Sequence, residues 1–168
     1  MACSSRALVV GSDRRLVDQL AFILAGQGWN DVYLVHSVGP ADRSERPIML
    51  AVPQRPGAPA RIRPYPQGLA DLVERGELPA GVDVAVSCSR DPWLRATVRR
   101  AAGRYQVPWI DVWTDAATII RAYLPGSPDT IYELEIEPGE TRRLILAIGI
   151  SQALDAMAGA QARDHRRA

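Results

Sequence analysis

Ala7–Gly28, ALVVGSDRRLVDQLAFILAGQG, reads as a buried strand, a tight turn and an amphipathic helix. Ala7–Val10 is a short, unbroken apolar run, as expected of a central parallel strand covered on both faces. Gly11 ends it. From Asp13 onward the apolar positions Leu16, Val17, Leu20, Ile23 and Leu24 recur at helical spacing. Ser12 or Asp13 can cap this helix, and Gly26 and Gly28 can end it. Val32–Val35 then supplies a second strand. This is the strand–helix–strand opening of a nucleotide-binding α/β fold, with a right-handed crossover expected. The turn itself, Gly11, Ser12, Asp13, Arg14, keeps only one of the glycines that let a backbone wrap a phosphate.

A chain of 168 residues with a near-neutral formal charge of +1 fits one ordinary domain. We assign residues 1–160 to it, and 161–168 to a polar tail expected to fray. With 47% apolar residues the chain is not disordered, and it exerts no strong pull on nucleic acid. The sequence offers no apolar run of the roughly 20 residues that cross a membrane. The start, MACSSRALVV, is too short and uncharged for a secretory signal, so a cytoplasmic protein is expected. Cys3 and Cys88 are far apart and form no metal-binding pair, so neither a disulfide nor a zinc site is expected. All of the basic residues are arginine. A chain without lysine forms no lysine Schiff base and places no lysine on a phosphate.

Further along, His36–Pro47 is turn-rich, Ile48–Val52 is a plausible third strand, and a short edge strand is expected around Arg61–Arg63. Gln67–Arg75 reads as a short helix. Val82–Cys88 is a buried strand, Ser89–Asp91 a turn, and Pro92 suits the first turn of a helix running to Tyr105. Val107–Trp113 is another strand. Thr118–Leu124 and Ile131–Glu137 pair as an antiparallel hairpin across Pro125-Gly126-Ser127-Pro128. Thr141–Ala158 is a helix whose middle is apolar on nearly all sides, suited to a core or a subunit interface. The expected fold is therefore α/β, a Rossmann-like, mostly parallel sheet with helices on both faces and an antiparallel C-terminal end.

Five segments give this order a more particular likeness: ALVVG; Ala25–Gly28 with the following VYLV; VDVAVSCSRDPWLR from Val82 to Arg95; VPWIDVW; and AYLPG with TIYEL. Together they resemble the ThiF/E1-like superfamily, the ATP-dependent enzymes that activate ubiquitin-like and sulfur-carrier proteins. The resemblance spans most of the chain. It begins at the first strand, so the N-terminal helices that many members use in dimer contacts are not expected.

Carried over residue by residue, the resemblance implies a depleted site. The family's phosphate turn, G-x-G-G-x-G, falls on Gly11 followed by Ser12, Asp13, Arg14 and Arg15. The ribose-binding acid at the end of the second strand falls on His36. The next arginine of the family aligns loosely with Arg43 or Arg46. The magnesium-binding acid of C-T-D-N falls on Arg90, with Asp91 one residue late, while Arg95 matches the family's arginine. The C-Y-x-C positions hold Ile131, Tyr132 and Leu134, so the zinc cysteines and a thioester cysteine are missing.

Read without the resemblance, each candidate keeps two roles. Arg14 and Arg15 are either an anion site rebuilt from side chains or solvated surface residues, since a helix N-terminus disfavours cations. Arg90 and Asp91 are either a structural pair or a ligand contact at a strand end. His36 is either a hydrogen-bonded structural residue or an acid–base group. Cys88 reads as a small buried hydrophobe. Trp109, Asp111 and Trp113 share one strand face, either a pocket wall or a contact surface, and the carboxylate must be solvated, paired or desolvated. Arg99, Arg100 and Arg104 suit a solvated helix face.

Three functions remain open on sequence grounds. The favoured one is a non-catalytic ThiF/E1-like scaffold or partner-binding subunit, without cofactor, forming a homodimer or a heterodimer with an enzyme or peptide of a biosynthetic (peptide or sulfur-carrier) pathway. The second is a divergent adenylating enzyme using ATP and magnesium on a carboxylate substrate. The third is a small-molecule or nucleotide binding protein that uses the same crevice.

Overall fold

The computed structural model describes residues 5–36, 60–65, 67–138 and 142–164. The expected strand Ile48–Val52 and most of the expected loop after His36 lie outside the described residues. Strand β1 (Arg6–Gly11) leads into helix α1 (Arg14–Gly26) and strand β2 (Asp31–His36). Strand β3 (Arg61–Pro64) follows, then the short helix α2 (Gly68–Ala70), which runs straight into a π-helical turn over Asp71–Arg75. The rest is β4 (Val84–Cys88), α3 (Pro92–Arg104), β5 (Trp109–Thr114), β6 (Thr118–Tyr123), β7 (Thr130–Ile136) and α4 (Arg142–Asp164).

The strands form one sheet in the order β3-β2-β1-β4-β5-β6-β7. Pairings from β3 through β5 are parallel, and β5–β6 and β6–β7 are antiparallel. Chain order reverses between β1 and β4, the place where open α/β sheets present a crevice beyond the strand ends. The hairpin turn fits its residues: Ser127 N–H reaches the Leu124 carbonyl at 3.3 Å and Gly126 sits at φ 76°, where a side chain would be strained.

Two apolar layers cover the sheet. One packs Leu16, Val17, Leu20 and Leu24 of α1 and Leu146, Ile150, Ala153 and Met157 of α4 on Ala7, Val9, Val86, Ile110 and Ile120. The other packs Leu72, Leu94, Val98 and Ala102 on Leu8, Val10, Ala85 and Trp109. Fully burying a leucine such as Leu20 or Leu24 contributes about 1.5–3 kcal/mol, so the spacing that made α1 legible also anchors it. Gly11 is fixed by packing. A Cβ there would overlap the carbonyl oxygen and sulfur of Cys88 and stand 2.8 Å from Val17 Cγ2.

Two expectations change. Helix α4 continues to Asp164, through the first half of the stretch read as a frayed tail. Its segment Leu144–Arg163, with mean hydropathy 1.3, is long and apolar enough by length and composition to span a membrane, although polar residues interrupt it. That composition has a packing use here, because Leu146, Ile150, Ala153 and Met157 form a stripe buried against the sheet.

Candidate functional site

Helices α1 and α3 both start beside the point where chain order reverses, one after β1 and one after β4. Each opens on an aspartate. Asp13 is the N-cap of α1, and its carboxylate accepts the Leu16 N–H at 3.2 Å. Asp91 is the N-cap of α3, and its carboxylate accepts the Trp93 N–H at 2.9 Å, with Pro92 in the first turn. A helix N-terminus carries unpaired N–H groups and a partial positive charge, the features that attract phosphate. Both termini here are served by the chain's own carboxylates.

The two loops are also tied to each other. The Ser12 and Ser89 hydroxyls are hydrogen-bonded at 3.1 Å across 77 residues of sequence. Ser89 in turn accepts the Asp91 N–H at 3.0 Å. His36 lies level with Gly11 in the β1–β2 register and is half-buried at the end of its strand. Gly11 is buried, whereas Ser12, Asp13, Arg14, Arg90 and Asp91 are exposed.

Two clefts flank this crossing. On the α1 side is a small one of about 130 Å³, lined by Ser12, Asp13, Leu16, Cys88, Ser89, Arg90, Trp113 and Thr114. On the α3 side a larger one of about 570 Å³ runs between α3 and the π-helical turn. The smaller is well below the roughly 300–1,000 Å³ of ordinary ligand sites, and the larger falls within that range. A further cleft of about 520 Å³ opens at the opposite, N-terminal ends of the strands, between Trp29 and α4, away from the candidate residues.

Arg95, the match to the family's arginine, turns inward. One of its terminal nitrogens stands 3.4 Å from the Asp111 carboxylate, and its guanidinium lies 4.5 Å from the centre of the Trp113 ring. Arg121 lies 5.1 Å from the same ring and donates to Glu133 at 2.6 Å. Asp111 accepts the Ser87 hydroxyl at 2.5 Å and is buried. Burial pushes its carboxyl above the usual carboxylate range, against the lowering effects of Ser87, Arg95 and Arg121. Trp109 stacks on Tyr123 at 4.0 Å, with Arg99 5.1 Å from the Trp109 ring. The Trp109–Asp111–Trp113 face is thus a packed, ion-paired layer. The Cys88 thiol is likewise driven up by burial, chiefly, and by the carboxylates of Asp13 and Asp111.

The position that the resemblance gives to the metal-binding acid is Arg90, whose side chain borders the small cleft, and one oxygen of the neighbouring Asp91 carboxylate accepts the Trp93 N–H. Among the described residues no group of three or more His, Cys, Asp or Glu is placed to hold a metal ion. The Ser12–Ser89 bridge and the double capping were not legible in the sequence, because they depend on two distant loops meeting.

The architecture defines a class: a mixed sheet, parallel through β5 and antiparallel beyond it, with helices on both faces, is the ThiF/E1-like α/β fold. Among solved structures it matches Escherichia coli MccB, with a TM-score of 0.51 and 13% identity over 88% of this chain and 47% of that one. A second match, E. coli MccB together with selenomethionine MccA, has a TM-score of 0.49 and 14% identity, covering 76% of this chain and 43% of that one. The chain therefore spans about half the length of the solved chains it resembles, and the likeness is one of fold. No family profile matches the sequence, and no characterised protein matches it by sequence.

Proposed function

We propose that this chain is a ThiF/E1-like domain that has lost adenylation and acts as a non-catalytic scaffold for a partner. One observation carries the reading: Asp13 and Asp91 cap both helices at the strand crossing, where adenylation would need the triphosphate. Adenylation builds negative charge that enzymes offset with metal and cations, and one such donor is commonly worth about 2.7–4 kcal/mol. Here two carboxylates stand in their place, Arg90 takes the metal position and no lysine exists. Losing several such contacts together removes the chemistry.

The scaffold contacts its partner through the C-terminal end of the domain. Helix α4 leaves Leu144 and Ile148 exposed one turn apart, large apolar groups that the sheet does not cover. In this reading the protein is cytoplasmic, pairs with a second copy or with an enzyme or peptide of a biosynthetic pathway, and carries no cofactor. ATP–pyrophosphate exchange with candidate carboxylate substrates tests it, with the protein alone and mixed with the products of neighbouring genes. No exchange is expected, and exchange that disappears when Arg90 is replaced would overturn the reading. Light scattering tests the homodimer, which is refuted by a monomer at high concentration.

A further inference from the structure

The larger cleft at the strand crossing has a chemistry unlike that of a nucleotide site. Its walls are Leu69, Ala70 and Val73 from the helical segment after β3, and Trp93 and Leu94 from the first turn of α3. Trp93 is 57% exposed, an unusual state for the largest apolar side chain. The polar lining is Ser12, Glu74 and Asp91. Among the described residues no arginine lines the cleft. Arg90, adjacent to Asp91 in sequence, borders the small cleft on the other side of the crossing. Arg75, adjacent to Glu74, pairs with Asp71 at 3.4 Å.

The wall on one side is the π-helical turn. Such turns widen the helix by a residue and are frequent at functional sites. Its end is fixed by Gly76 at φ 62°, with the Gly76 and Glu77 N–H groups on the carbonyls of Leu72 and Asp71. Leu72 points into the core, which leaves Val73 and Glu74 on the cleft.

An apolar floor, an open indole and two carboxylates, with no cation beside them among the described residues, select positive charge on an apolar body. We propose that this cleft binds an organic cation, an ammonium or guanidinium carried on an aliphatic or aromatic group, with Trp93 against the body and Glu74 and Asp91 against the charge. Cation–π attraction to the indole and the carboxylate field act in the same direction. The inference rests on the reading that the crossing no longer holds ATP, and it replaces an anionic ligand with a cationic one. A free amine and a basic residue in an apolar peptide share this chemistry.

The test uses the full chain and two-dimensional NMR of its indole N–H groups. Phenethylammonium and Phe-Arg amide are the cationic probes, and phenylacetate is the anionic control of matching size. Both cations are expected to shift the Trp93 signal saturably, with phenylacetate without effect. Tighter binding of the dipeptide amide assigns the cation to a peptide, and equal affinity assigns it to a free amine. Trp93→Ala and Glu74→Gln, both at exposed positions, are each expected to weaken phenethylammonium binding roughly fivefold. Asp91→Asn removes charge while keeping a capping side chain, and should weaken binding as well. The proposal is overturned if phenylacetate binds as tightly, if neither cation binds at millimolar concentration, or if these variants bind as the parent does. Pyrophosphate exchange on the same sample separates the two readings. Absent exchange with absent amine binding removes only the ligand assignment, whereas exchange removes the scaffold reading together with it.

Discussion

The Asp111 carboxylate accepts the Ser87 hydroxyl at 2.5 Å inside the sheet, with 6% of the residue exposed. Burial raises its proton affinity above that of a free carboxyl at 3.8. The folded state therefore holds the proton more tightly than the unfolded chain does. The stability Asp111 contributes is fully present below pH 3.8 and is lost as pH rises through its folded value. An Asp111→Asn variant has no such proton to lose. It should gain on the parent as pH is raised from about 4 to 7. Melting temperatures of the pair across that range give the answer, and a constant or oppositely changing gap contradicts the assignment.

Two glycines give a contrast in packing. A Cβ at Gly11 meets Cys88 backbone and sulfur, which cannot move without shifting β4. At Gly149 it meets Ile120 Cδ1 at 2.6 Å and Leu134 Cδ2 at 2.8 Å, the ends of flexible side chains. Gly11→Ala should cost about 1–3 kcal/mol as overpacking. Gly149→Ala should lie within about 1 kcal/mol of the parent, because alanine's helix propensity offsets the repacking. Urea unfolding of both variants decides, and equal costs would show that the Gly11 turn yields.

Removing either aspartate cap exposes helix N–H groups. Asp13→Ala and Asp91→Ala should each lower stability by about 0.5–2 kcal/mol, while the Asn variants, which retain a capping oxygen, should be close to neutral. Chemical denaturation compares the four. If alanine is as good as asparagine, the carboxylates are not capping their helices.

Cys88 has no exposed surface and its thiol is pushed upward by burial. It should resist alkylation by iodoacetamide in the native protein and react promptly once the chain is unfolded. Mass mapping of the peptide carrying Cys88 reads the outcome. Rapid labelling under native conditions would place the thiol at the surface.

How far the sequence carried can be seen at particular positions. Periodicity placed β1, α1 and β2 because one run of leucines and valines serves both local pattern and core, so Gly11 beside His36 followed from it. Other features depend on distant contacts. Ser12 and Ser89 meet only when β4 is inserted beside β1. The sequence left Asp111 open between solvated, paired and desolvated, and Ser87 became its partner by strand register and Arg95 by the pitch of α3. The π-helical turn had no local signal beyond Gly76, because the widening is a matter of one backbone bond. Of Asp13 and Asp91, sequence reading saw a helix-capping residue and a displaced metal ligand, and only their common end of the sheet makes them a matched pair.

That pair also bears on reversibility. A phosphate arriving from solution meets, at either helix, a competitor tethered to the same backbone. Its short tether leaves it little volume to explore, which raises its effective concentration at the helix. On the proposed reading, an anion site at these helices requires evicting both tethered carboxylates, and each eviction alone removes a helix cap. On that reading the two caps act as a ratchet, because the first step towards nucleotide binding lowers stability before any site exists.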